Sequence, residues 1–162
     1  DSSHVLLLLA HAHDPVASPT QCVRFALLFL AATTDFFSPS AHLPVTYLPH
    51  LVPPLMTALA ALRAHMQAVV LSQLLPGTEK DSEHSFALLH AAVGEGGGGL
   101  NERYFPFIWE PPLLELLVVL TSRSGKEAQC VQATRLIARP DLRSRKGAVH
   151  ANHTLAMAFF SA

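Results

Sequence analysis

Ten histidines, two cysteines and twelve carboxylates are the side chains of this sequence with the chemistry to bind a metal or act on a substrate. His11-Ala12-His13-Asp14 places two imidazoles and a carboxylate within four residues. Helical neighbours two apart point to different sides, so both rings would reach one metal only through a distorted helix end. His150 and His153 lie three apart, share a helix face and offer two zinc ligands. A zinc site needs a third or fourth ligand, and neither an HExxH motif nor a cysteine cluster supplies one. The histidines are therefore expected to be exposed or hydrogen-bonded, with no metal and no cofactor.

Nucleophilic catalysis has no better support. There is no G-x-S-x-G elbow, and neither Cys22 nor Cys130 sits in a catalytic signature. Glu110 and Glu115 could pair as acid and base, but five residues apart at a helix start they diverge. Glu110 reads more simply as a helix-end carboxylate favoured by the dipole. The expectation is a protein that is not an enzyme.

The most specific polar feature is basic. Arg135, Arg139, Arg143, Arg145 and Lys146 fall within twelve residues, with Arg123 and Lys126 upstream. Residues 1–120 hold four Lys/Arg against ten Asp/Glu, whereas residues 121–162 hold seven against two. Arg135 and Arg139, four apart, would share a helical face. Such a cluster suits an acidic protein partner, or phosphates. No aromatics interleave it for base stacking, so nucleic acid is the less favoured partner. Trp109, with Tyr104, Phe105 and Phe107, forms the one aromatic concentration. It is a candidate interface anchor, although proline-flanked aromatics before a helix more often pack over its first turn.

The composition limits what can carry these groups. Half of the 162 residues are apolar, only 14% are charged, and mean hydropathy is +0.32. That excludes a disordered chain and allows one domain with a sizeable core. So few charges imply a surface partly covered by something else. Two cysteines without CxxC spacing exclude a disulfide scaffold and favour a reducing, intracellular setting. No basic region precedes Val5–Ala10, so a signal peptide is not supported. No stretch reaches the roughly 18 apolar residues of a membrane span without a charge or proline. Asn152-His153-Thr154 matches the glycosylation acceptor triplet but falls within an expected helix.

Helix signals dominate, and no segment alternates with period two. Ser3–His13 predicts a short first helix. Ser18-Pro19-Thr20-Gln21 forms a start signal with a side-chain cap, opening a helix to about Thr34 that is apolar on all sides and so expected to be buried. After a proline-studded connector, Pro53-Pro54 opens one long helix to about Leu75, where Pro76-Gly77 ends it. Thr78–Ser85 begins another, stopping at Gly94. Gly94–Gly99 lacks the lysine of a phosphate loop and reads as a flexible linker. Glu110-Pro111-Pro112 opens a helix over Leu113–Thr121. Ser124-Gly125-Lys126-Glu127 forms a second capping box, for a helix to about Ala138 with Cys130, Ala133 and Ile137 facing inward. A last helix spans about Asp141–Phe160, with Ala148, Ala151, Leu155 and Phe159 on one side.

Pro53-Pro54-Leu55-Met56-Thr57-Ala58-Leu59 is echoed by Pro111-Pro112-Leu113-Leu114-Glu115-Leu116-Leu117, 58 residues on. Tyr47-Leu48-Pro49 and Tyr104-Phe105-Pro106 precede the two segments. Over Leu113–Ala138 and again from Pro140-Asp141-Leu142-Arg143 to Leu155 the chain resembles a HEAT or armadillo-type helical repeat. The offset exceeds that family's period of about 40–47 residues and requires an insertion, the glycine loop. The resemblance implies an all-α domain of stacked antiparallel helical pairs, part of a longer array, over residues 1–162. An irregular helical bundle is the rival architecture. The function implied is a scaffold or interaction subunit contacting other protein subunits through its apolar ends, the basic segment and Trp109. The alternatives are a nucleic-acid or phosphate-binding subunit and a membrane-peripheral one.

Overall fold

The computed structural model describes residues 2–38, 41–42, 45–75, 77–94, 99–143 and 154–160. Among them there is no strand, and seven α-helices follow in order: α1 (Ser2–Ala12), α2 (Pro19–Thr33), α3 (Leu48–Ala61), α4 (His65–Ser72), α5 (Glu79–Gly94), α6 (Pro111–Arg123) and α7 (Glu127–Ile137). Single 3₁₀ segments occupy Glu102–Phe107 and Pro140–Arg143, and residues 154–160 are helical. Each α-helix packs chiefly on its neighbours in sequence. This is the arrangement of a helical-repeat solenoid, in which no pair buries its apolar face alone.

Apolar stripes drive the stacking. Leu51, Leu55, Met56 and Leu59 of α3 meet Met66, Val69, Val70 and Leu71 of α4 in one core that continues through Leu88 and Leu89 to Leu113, Leu114 and Leu117. Small residues let the helices approach closely: Ala26, Ala58, Ala68, Ala92 and Ala133 are all buried.

The single long helix expected over 54–75 is instead two. It breaks after Ala61 because Arg63 adopts a left-handed conformation, φ 58°. Arg63 N–H donates to the Ala60 carbonyl (2.9 Å) and Ala64 N–H to the Leu59 carbonyl (2.8 Å), a Schellman stop. The α6–α7 turn repeats this pattern. Gly125 N–H bonds Ser122 O (3.1 Å), Lys126 N–H bonds Thr121 O (2.9 Å), and Gly125 takes φ 68°. The two helical pairs therefore correspond at their turns with an offset of 62 residues, not the 58 of the proline echo. The difference arises at the starts: α3 begins at Leu48, so Pro53 and Pro54 lie inside it, whereas Pro111 lies in the first turn of α6. Pro53 and Pro54 withdraw donors from the carbonyls of Pro49 and His50, both exposed residues whose carbonyls water can serve. Burial of Leu51, Val52, Leu55 and Met56 carries the helix through.

Three further expectations are corrected. Helix α2 is not buried all round: Leu27 and Leu28 are 40% and 43% exposed, because α1 and α3 cover only part of its circumference. Ser18 does not cap α2 with its side chain; the preceding turn is held by Asp14 Oδ1, which accepts from Val16 N–H (2.7 Å) and Ala17 N–H (3.0 Å). Those bonds hold the exposed Asp14 carboxyl below its usual range. Ser124 closes α6 rather than opening α7, its hydroxyl donating to Leu120 O (2.8 Å). At the start of α5, Thr78 and Asp81 cap each other reciprocally (Asp81 N–H to Thr78 Oγ1, 3.3 Å; Thr78 N–H to Asp81 Oδ2, 3.2 Å). Gly94 is the last residue of α5; residues 95–98 of the expected linker lie outside the described residues. Of the expected last helix, residues 154–160 are described as helical and 144–153 lie outside the described residues.

Candidate interaction surface

The candidate residues divide between a tight polar joint and an open apolar groove. The joint forms around Pro106–Glu110, the end of the 3₁₀ turn and the residues that lead from it into α6. Ile108 (φ −87°, ψ 121°) and Glu110 (φ −75°, ψ 118°) are extended where the chain enters α6. On one side stands Gln73, the residue closing α4 and 6% exposed. Its amide nitrogen donates to Phe107 O (3.2 Å) and Val70 O (3.1 Å), while its oxygen accepts from Trp109 N–H (2.8 Å) and Glu110 N–H (3.1 Å). On the other side Arg139 donates to Ile108 O (2.6 Å), Pro106 O (3.1 Å) and Leu136 O (3.3 Å). Two side chains thus satisfy five backbone groups between Pro106 and Glu110, and tie α4 to the end of α7.

This arrangement separates the residues grouped by sequence. Arg135 is exposed on α7, whereas Arg139 is half-buried and turned onto three carbonyls. The two do not present a common free face. Arg143 lies in the 3₁₀ turn Pro140–Arg143; Arg145 and Lys146 lie outside the described residues. Trp109 is 5% exposed and belongs to the core, as do Phe105 and Ile108. Glu110 is half-buried at the start of α6, and loss of solvent pushes its carboxyl above the usual value. Glu115 is exposed on the same helix.

The histidines and cysteines go to separate partners. His11 Nδ1 lies 2.8 Å from Leu7 O of its own helix, and His13 stacks on Phe25 with ring centroids 5.3 Å apart. His150 and His153 lie outside the described residues. Among those described, no three of His, Cys, Asp and Glu converge. Cys22 is buried, its thiol 3.9 Å from Pro54 O and its pKa raised by burial; Cys130 is half-buried near Val118 O (3.8 Å). Both thiols are free.

The groove has a volume of about 630 Å³. Val23 and Leu27 of α2, Leu55 and Leu59 of α3, and Leu71 of α4 form its apolar walls. Tyr104 and Phe107 of the 3₁₀ turn, with Phe159 and Phe160 of the 154–160 helix, close the other side. Gln67 donates to the Tyr104 hydroxyl (2.8 Å) at a polar edge, and Arg103 is the one charged side chain among the described lining residues. Sequence reasoning missed both the groove and Gln73. No pattern marks a glutamine whose partners lie 34 to 37 residues away.

Among the described residues, no helix is long and apolar enough to cross a membrane. A family model described as INTS8, TPR repeats matches residues 17–147. An Integrator complex subunit 8-like protein of Dictyostelium discoideum is 26% identical over 143 residues, covering 86% of this chain and 70% of that protein.

Proposed function

The chain belongs to the family of INTS8 TPR repeats, and from that premise we propose that it is a non-enzymatic scaffold subunit of a larger protein assembly. The helical-repeat reading of the sequence agrees with that membership; the matching family model is described as TPR repeats, and the HEAT or armadillo type suggested by the sequence is compatible with it but not specifically shown. The observation that carries the proposal is the match over residues 17–147, which takes in α2 to α7, helices stacked each on the next. Such a stack offers extended surface for other subunits to dock on. The Dictyostelium relative is named for the Integrator complex, and that complex is the assembly we propose for this chain. Two free cysteines fit an intracellular home for it.

The basic segment, exposed Arg135 together with Arg143, Arg145 and Lys146 in sequence, is proposed to meet acidic subunits. Arg139 and Trp109 are held in the joint instead, Arg139 by its bonds to Pro106 and Ile108 carbonyls and Trp109 by burial. Affinity purification of the tagged full chain from cells tests the reading. Stoichiometric recovery of the same set of subunits in an assembly far larger than 17.5 kDa, resistant to moderate salt, is expected. A monomer free of partners would overturn it. Recovery of nucleic acid with steep salt dependence would instead favour phosphate binding by the basic segment.

A further inference from the structure

Native interiors leave few voids larger than a water molecule. The groove of about 630 Å³ between α2, α3, α4 and the 154–160 helix is therefore not a feature of core packing. Its size is that of a ligand cleft. Its walls are aliphatic and aromatic, and the chain's own 154–160 helix shows what they accept. Phe159 sits edge-on to Tyr104 and Phe107, each with ring centroids 5.9 Å apart. Phe160 stacks on Phe37 at 6.1 Å. A helix thus already lies along one side of a groove with space remaining beside it.

The charge at its edge specifies more. Arg103 is exposed in the first turn of the 3₁₀ segment, whose start is capped by Asn101 Oδ1 accepting from the Arg103 backbone N–H (3.1 Å). The adjacent carboxylate, Glu102, is engaged instead by Gln129 Nε2 (3.0 Å). We propose that the groove seats an amphipathic helix of a partner subunit, its bulky apolar side chains in the cavity and a carboxylate against Arg103. This rests on the scaffold reading and names one docking surface for it. The mode is a helix laid into an apolar groove, with the cation fixing direction and register.

The test uses the full chain and two fluorescein-labelled twelve-residue helical peptides. One carries phenylalanine and leucine on one face and glutamate on the other; its counterpart has lysine for glutamate. Fluorescence anisotropy is expected to show saturable micromolar binding of the glutamate peptide, with the lysine peptide about two- to fivefold weaker. Arg103→Ala erases that preference. Leu27→Trp, at the 40%-exposed rim, fills the cavity and weakens both peptides, whereas Leu28→Trp on the same helix leaves both unchanged. If Leu27→Trp loses its helical circular dichroism, the Arg103→Ala comparison decides alone. Absence of saturable binding, equal affinity for the two peptides, or equal effects of the two tryptophans would overturn the proposal. A chain that joins its assembly yet binds neither peptide removes the groove and leaves the scaffold. A chain that binds the glutamate peptide but joins no assembly does the reverse.

Discussion

The joint at Pro106–Glu110 and the groove beside it differ in how their groups are satisfied. At the joint Gln73 and Arg139 bond five backbone groups between Pro106 and Glu110, and Phe105 and Trp109 beside them are buried. In the groove the same aromatic segment contributes Tyr104 and Phe107 to a wall that, among the described residues, faces open space. The joint is where the fold requires each partner; the groove is where it does not. Stability should therefore concentrate in the first and binding in the second.

Gln73→Ala breaks this comparison most severely. It strands Phe107 O and the Trp109 and Glu110 N–H groups, and should cost about 3 kcal/mol in denaturant unfolding. An unchanged unfolding midpoint would mean the joint is not a stability element. Arg139→Ala removes charge-assisted bonds at a half-buried position and should cost about 1–2 kcal/mol. Should Arg139→Ala weaken subunit association without changing stability, the arginine would belong to an interface after all.

Gly125→Ala tests the turn that orients α7 and so delivers Arg139. Alanine in the left-handed region should cost about 1 kcal/mol. The loss should read out in thermal melting without any change in peptide binding at the groove.

Glu110→Gln should have the smallest effect and the opposite sign. Burial raises the Glu110 pKa, so the folded state favours its protonated form. Its ionisation reduces stability as pH rises from the unfolded value through the folded one. The glutamine variant should melt about 1–3 °C higher at pH 7, an advantage that disappears below about pH 4. A gain that persists at low pH would assign the effect to something other than charge burial.

What the sequence disclosed follows from how local each signal is. Pro111-Pro112 before an apolar stripe placed α6, and Pro140 marked the end of α7, because proline acts within a turn of itself. Ser124-Gly125-Lys126-Glu127 marked the boundary between α6 and α7 as a cap, and the structure makes it a turn on Gly125, since glycine takes positive φ at little cost. Its counterpart in the α3–α4 turn is Arg63, which carries no such mark, so a single helix was read through Leu62–Ala64. Pro53 and Pro54 misled in the opposite direction, since burial of their neighbours outweighs their lost donors. Ser18 and Ser124 have the residue type of caps, but only the chain geometry decides whether a hydroxyl reaches an amide. The basic cluster was visible as composition, yet the diversion of Arg139 to Pro106 and Ile108 is a long-range contact. The groove exists only once α2, α3, α4 and residues 154–160 are brought together.

Hydrogen exchange on the full chain, with and without the glutamate-bearing apolar peptide, tests the division between joint and groove most directly. The account predicts that the Trp109 and Glu110 amides are slow in both states, while α2, α3 and residues 154–160 gain protection when the peptide is bound. Fast exchange at Trp109 and Glu110, or protection that appears at the joint and not along the groove, would contradict it.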